Sequence, residues 1–158
     1  MTGKRPRKTA GAPSVVIVAA KFHAAVEAAL VEGAVRTLTK GGIARARIRV
    51  VSVPGSFELP AAAACAAEAL RPQAIIAIGC LIEGDTPQYA AIGQAVYEGL
   101  IDVSVRTRIP VTCGVVMAHS LAQARARAGG SMGNRGTEAA EAALAMMQIC
   151  HTMRSSHA

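Results

Sequence analysis

The chain contains only two phenylalanines, Phe22 and Phe57, and no tryptophan. Each phenylalanine sits among polar or charged groups: Lys21 and His23 beside the first, Ser56 and Glu58 beside the second. A flat apolar ring between hydrogen-bonding side chains suits a planar ligand that carries hydroxyls or amides. A third segment, Glu83-Gly84-Asp85-Thr86-Pro87-Gln88, combines a small flexible turn with a hydroxyl and a proline ahead of a helical pattern. Backbone N–H groups at such a helix start favour an anion such as phosphate. The plainer reading is a Thr86 N-cap followed by Pro87 at the first helical position. Farther on, Arg127 and Arg135 bracket a glycine-rich stretch, either as counter-charges for an anion or as solvated surface charges.

These groups need a frame, and hydrophobic periodicity supplies one. Ser14–Ala20, Arg47–Val53, Ala74–Cys80 and Val111–Met117 are short apolar runs that read as buried strands. Between them, Val26, Leu30, Ala34 and Leu38 recur every four residues, which marks a helix over 24–40, halted by Gly41-Gly42. Glu58–Leu70 is an alanine-rich helix, and Ile92, Val96, Leu100 and Val103 mark the face of another that Pro110 ends. A short helix at Leu121–Ala128 precedes Gly129, Gly130 and Gly133, and Thr137–Met153 is the last. Strict alternation of strand and helix predicts an α/β three-layer sandwich: a four-stranded parallel sheet with helices on both faces. In such sheets ligands bind beyond the carboxyl ends of the strands. The segments holding Phe22, Phe57, Thr86 and His119 all follow predicted strands. The two phenylalanines there either stack on a ligand or cap the sheet edge, and pattern alone leaves these readings equal.

Bulk composition narrows the classes. The 158 residues are 52% hydrophobic and 3% aromatic, so the core is built from small aliphatic side chains and the chain gains from burial between subunits. Lys4, Arg5, Arg7 and Lys8, with no acid nearby, give residues 1–12 the character of a flexible basic tail ahead of a single domain at 13–154. No aromatic platform for bases accompanies that tail, which argues against a nucleic-acid partner. Salt-sensitive retention on a polyanion through residues 4–8 would reverse that reading. Cys65, Cys80, Cys113 and Cys150 form no C-x-x-C pair and no zinc spacing with the histidines, so no metal is expected. They read as small core residues in a reducing compartment. No run approaches the length of a membrane span, and no apolar secretory stretch opens the chain. The expected location is the cytoplasm, with no membrane partner.

The motifs also converge on one family. Val53-Pro54-Gly55-Ser56-Phe57-Glu58-Leu59-Pro60, Ala77-Ile78-Gly79-Cys80-Leu81-Ile82-Glu83-Gly84-Asp85-Thr86-Pro87, and Gln123-Ala124 with Arg127, Gly133-Asn134-Arg135-Gly136 and Glu138-Ala139-Ala140 resemble, in order, the signatures of the lumazine synthases. Lys21-Phe22 and Glu32-Gly33-Ala34 fit the family's start, so the resemblance covers about residues 14 to 150. It implies a flavodoxin-like fold. The implied reaction condenses 5-amino-6-ribitylaminouracil with 3,4-dihydroxy-2-butanone 4-phosphate to 6,7-dimethyl-8-ribityllumazine, releasing phosphate and water, in riboflavin biosynthesis. It needs no cofactor. The resemblance further implies a pentamer with active sites between adjacent subunits, or sixty subunits in a shell; the compact turn at Gly129–Asn134 resembles that of shell-forming relatives.

By position, Phe22 and Phe57 would flank the pyrimidine, with Phe57 standing where some members have Trp. Ser56 and Glu58 would bind the ribityl hydroxyls, and main-chain groups at Leu81 and Ile82 the pyrimidine edge. Gly84, Asp85 and Thr86 would cradle the phosphate, with Arg127 as counter-charge, Glu138 holding Arg127, and Arg135 standing where Lys is usual. His23 would be a polar group at the pocket edge. The chain departs from the family at three places. Gln88 stands where a proton-transferring His is usual, and an amide does not titrate. Cys113 replaces a large apolar residue that lines the pocket, and Glu83 often Arg. His119, at another strand end, is the candidate to compensate for Gln88. The alternative is a catalytically weakened or inactive shell-forming or flavin-binding paralogue, which the three departures favour; the retained Arg127 and Gly84–Thr86 loop favour the enzyme.

Overall fold

The computed structural model describes residues 14–156, so the basic tail expected at residues 1–12 lies outside the described residues. Strand β1 (Val15–Ala20) runs centrally and is buried along its whole length. Helix α1 (Ala24–Lys40), β2 (Ile48–Val53), α2 (Leu59–Leu70), β3 (Ala74–Ile82), α3 (Gln88–Thr107) and β4 (Val111–Ala118) follow in alternation. The strands form one parallel four-stranded sheet in the order β2-β1-β3-β4. From β1 the chain steps outward to β2 and then returns to place β3 on the other side. The point of reversal lies between β1 and β3, where neighbouring connections diverge and open a crevice at the carboxyl ends.

Side-chain alternation along β1 feeds two cores. Val15, Ile17 and Ala19 pack with Leu30, Leu38, Ala140 and Ala143 on one face, and Val16, Val18 and Ala20 pack with Leu59, Ala63, Val96 and Leu100 on the other. The helices on the first face are α1 and α5 (Arg135–Ser155), those on the second α2 and α3. The expected three-layer α/β sandwich is the observed fold.

Alanine and glycine let α1 and α5 approach closely. A Cβ on Gly136 would strike the carbonyl oxygen of Leu30, and one on Gly33 would meet the Asn134 side chain. Asn134 holds the junction. Its Oδ1 accepts from the Thr137 N–H (3.0 Å), capping α5, while its Nδ2 donates to the carbonyl of Ala29 on α1 (3.0 Å).

Several boundaries differ from the sequence reading. The third strand runs on to Ile82, because its pairing with β4 continues to Ala118. Residues Ser56–Glu58 form a 3₁₀ turn ahead of α2, with Pro60 at the start of the helix. Helix α4 (Leu121–Ala126) is shorter than expected. Its last residues give way to a small antiparallel hairpin, β5 (Ala128–Gly130) with β6 (Gly133–Asn134), in which Gly129 and Gly133 have positive φ. The glycines read as an interruption therefore make an ordered turn. The cysteines also divide. Cys80 is buried in the core, Cys113 and Cys150 are half-buried, and Cys65 is exposed on α2, contrary to its reading as a core residue.

Candidate active site

Each strand end delivers a different group to the crevice. After β1, Phe22 stands 78% exposed with its ring edge-on to His23. The His23 N–H donates to Oε2 of Glu27 (2.9 Å), a carboxyl that burial pushes above its ordinary value while the backbone at His23 and Cys80 pulls it back. After β2, the 3₁₀ turn is braced by the Gly55 N–H donating to Oε2 of Glu58 (2.9 Å). This turn leaves Phe57 64% exposed and buries Ser56 to 4%. The Ser56 hydroxyl has no hydrogen-bond partner among the described residues. A buried hydroxyl left unpaired is costly, and a ligand hydroxyl is a natural partner for it.

Together these turns wall a cavity of about 370 Å³. Phe22 and His23 come from the end of β1, Gly55 to Glu58 from the end of β2, and Cys80, Leu81 and Ile82 from β3. Gly84 and Thr86 of the loop and Gln88, Tyr89 and Ile92 on α3 complete it. A larger hollow of about 540 Å³ lies at the opposite end of the sheet, among Glu68, Arg71, Gln73, Thr107 and Arg154. It faces the amino ends of β3 and β4, away from every strand-end motif. Burial raises the Cys80 thiol to about 12, with the Glu27 charge adding to the effect, so this wall residue is an inert thiol at neutral pH.

Arg127, Arg135, Cys113 and Asp85, all expected at the site, do not line this cavity. Arg127 donates from Nη1 and Nη2 to both oxygens of Glu138 (2.9 Å each), and from Nη1 to the Met132 carbonyl (2.7 Å). Arg135 donates to Oε2 of the same carboxylate (2.9 Å). These charge-assisted bonds, Arg127 first and then Arg135, hold the Glu138 carboxyl below its ordinary range. Two positive groups on one carboxylate leave a net positive cluster beside the β5–β6 turn. Cys113 pairs with Ala77 near the start of β4, away from the strand's carboxyl end. Burial raises its thiol, and the Arg135 charge opposes this.

A family model for 6,7-dimethyl-8-ribityllumazine synthase matches residues 12–151. The chain belongs to the lumazine synthase family. Lumazine synthases similar to it include that of Xanthomonas campestris pv. campestris (strain B100), 43% identical over 85% of this chain and 87% of the relative. That of Xylella fastidiosa (strain 9a5c) is 41% identical over the same shares. That of Xanthomonas oryzae pv. oryzae (strain PXO99A) is 41% identical over 84% of this chain and 86% of the relative. Membership assigns the chain a transferase activity in riboflavin biosynthesis.

Against that assignment, the structure brings ten of the residues expected at the site to one cavity: Phe22, His23, Ser56, Phe57, Glu58, Leu81, Ile82, Gly84, Thr86 and Gln88. Tyr89 and Ile92 were not singled out. Ile92 was legible as the start of the α3 face, since one residue per turn of a helix entering the crevice must meet it. Tyr89 carried no such signal. Glu83, which stands where relatives often have Arg, contacts the His119 ring instead of lining the cavity.

Proposed function

We propose that the chain condenses 5-amino-6-ribitylaminouracil with 3,4-dihydroxy-2-butanone 4-phosphate in the cavity at the carboxyl ends of β1, β2 and β3. The observation that carries this is the cavity wall, in which two exposed phenylalanines stand with a buried hydroxyl that has no partner among the described residues. Phe22 and Phe57 stack on the pyrimidine, Ser56 and Glu58 take the ribityl hydroxyls, and the backbone at Leu81 and Ile82 reads the pyrimidine edge. Gly84, Asp85 and Thr86 receive the phosphate at the start of α3. Gln88 lines the cavity and orients the reacting groups through its amide without exchanging a proton. Holding two substrates in register is itself a large part of catalysis for such a condensation.

The Arg127–Glu138–Arg135 cluster completes the site from a neighbouring copy, which explains why no cation of that cluster lines the cavity of its own chain. Cys113 belongs to the same contributed wall. Exposed Ile101 and Val105 on α3, at 64% and 72%, supply apolar surface for such an assembly, as a pentamer or a shell of sixty. Among the described residues no helix is long and apolar enough to cross a membrane. We place the enzyme in the cytoplasm.

The direct test mixes both substrates with the protein and follows the lumazine product by absorbance and fluorescence, alongside sedimentation of the assembly. Turnover above the uncatalysed rate by particles of at least five subunits is the expected result. Absence of turnover from both the natural protein and Gln88→His refutes the reaction; activity in a monomer refutes the shared site.

A further inference from the structure

A second titratable cluster sits beside the cavity and is unused so far. Its members come from three elements. Glu83 follows β3, Tyr89 lies in the first turn of α3, and His119 follows β4. The Glu83 Oε2 and the His119 Nδ1 are in direct hydrogen-bond contact. The Tyr89 hydroxyl lies 3.5 Å from the same nitrogen, and the two rings meet edge-on with centroids 6.3 Å apart. The His119 N–H donates to Oε1 of Gln123 on α4 (2.9 Å), which fixes the backbone that carries the ring. Tyr89 lines the cavity next to Gln88, whereas Glu83 and His119 do not, so Tyr89 is the residue that joins this pair to the cavity edge.

We propose that His119, oriented by Glu83 and braced by Tyr89, is the acid–base group of this site and performs the proton transfer that Gln88 cannot. The inference rests on the reaction proposed above. A carboxylate on Nδ1 holds a proton there and leaves Nε2 as the exchanging atom, the arrangement that makes an imidazole an effective base. Among the described residues Nε2 has no protein partner. The side chain is 68% exposed, so it re-equilibrates with solvent after each turnover. The titratable groups facing it are Glu83 and Tyr89, and α4 presents only the neutral amide of Gln123.

The step served is phosphate elimination from the imine. Nε2 takes the proton from the carbon between the imine carbon and the phosphate-bearing carbon. The electron pair of that C–H bond forms the new carbon–carbon double bond, and the C–O bond to phosphate breaks, with phosphate leaving with the C–O bonding pair. The imidazolium then gives that proton to the terminal carbon while the enol O–H proton passes to the departing phosphate, so the enol becomes a ketone ready for ring closure and the imidazole is regenerated. No oxidant or reductant is required.

The test is steady-state kinetics of the assembled enzyme from about pH 5 to pH 9, a range in which an imidazole titrates. His119→Ala is expected to lower kcat by about 10²-fold or more, with KM within a few-fold and the imidazole-range limb of the profile lost. Imidazole added to the buffer should restore part of the rate, and so should Gln88→His in the His119→Ala background. A side chain that only shapes the loop would give neither rescue. Glu83→Gln is expected to lower kcat about tenfold and move the same limb, and it carries the test if His119→Ala does not assemble. Unchanged kcat and pH profile in these variants, or a loss that imidazole and Gln88→His leave untouched, overturns the inference. If the natural protein is silent but Gln88→His is active, the site reading stands and the His119 assignment falls. If both are silent, the two fall together.

Discussion

Gly79 sits in β3 directly behind the turn that carries Ser56, Phe57 and Glu58. A Cβ placed there would lie 2.5 Å from the Ser56 Oγ, 3.3 Å from its Cβ and 3.0 Å from Cδ1 of Leu59. To reach the 3.4 Å of ordinary contact the hydroxyl must retreat by nearly an ångström. Neither neighbour has room, since Ser56 is 4% and Leu59 0% exposed. Overpacking of this kind costs about 1–3 kcal/mol. Gly79→Ala should therefore lower stability by that amount in urea unfolding followed by far-ultraviolet circular dichroism. Because the turn must shift as a unit, Phe57 and Glu58 move with it. A displacement near an ångström at a reacting site costs on the order of 10²-fold in rate, so kcat/KM should fall further than stability alone accounts for. The steric origin is checked by adding Ser56→Gly, which removes the 2.5 Å and 3.3 Å contacts and leaves only the milder 3.0 Å approach to Cδ1 of Leu59. In a double-mutant cycle the second change should recover most of the stability lost to the first. Additive losses, or a Gly79→Ala protein within about 0.5 kcal/mol of the parent, would refute the reasoning.

Four other outcomes follow from the same structure. Gly136→Ala places its Cβ against the Leu30 carbonyl, and a backbone oxygen cannot swing aside; a loss at or beyond the upper end of about 1–3 kcal/mol is expected in thermal unfolding, larger than for Gly79→Ala. Ser56→Ala removes a hydroxyl with no hydrogen-bond partner among the described residues, so stability should hold while affinity for the ribityl-bearing substrate, read by calorimetry, weakens about tenfold. Glu138→Gln breaks a partly exposed pair, which limits its stability cost to about 1 kcal/mol, but it removes the two bonds that fix the Arg127 guanidinium in place, and that loss of position should blunt inhibition by inorganic phosphate. The two shifted carboxyls act oppositely on stability with pH. Glu138, held below its ordinary value, contributes stability at and above that value and loses it as pH falls through its folded value. Glu27, raised by burial, favours the folded state most at low pH and loses that contribution as pH rises through its folded value. Parent-minus-variant stability should thus fall with rising pH for Glu27→Gln and with falling pH for Glu138→Gln, in urea titrations across the acidic range.

The sequence by itself determined the elements and the architecture. The short, β-branched run Val15–Ala20 marks a buried strand, and the four-residue recurrence from Val26 to Leu38 marks one helix face; both signals are local, so they survive without coordinates. The family's motifs, which are short and contiguous, were legible for the same reason, and they carried Phe22, Ser56, Phe57, Glu58 and Thr86 to one cavity. What depended on distance in space was not legible. The Arg135–Glu138 pair is an i,i+3 contact along α5 and Glu138 was expected to hold Arg127, but that the β5–β6 turn keeps this cluster away from the cavity of its own chain is something no spacing encodes. Glu83 and His119 are 36 residues apart and meet only because the β3–β4 register sets Ile82 opposite Ala118, so the next residue of each strand falls side by side. Tyr89 reaches both the cavity and that pair because α3 starts at the sheet edge in one particular rotation. The exposure of Cys65 was hidden likewise, since an alanine-rich helix has little contrast between its faces. Periodicity fixes which residues share a face of one element, whereas register and helix rotation decide which faces meet, and chemistry between strand ends depends on the second.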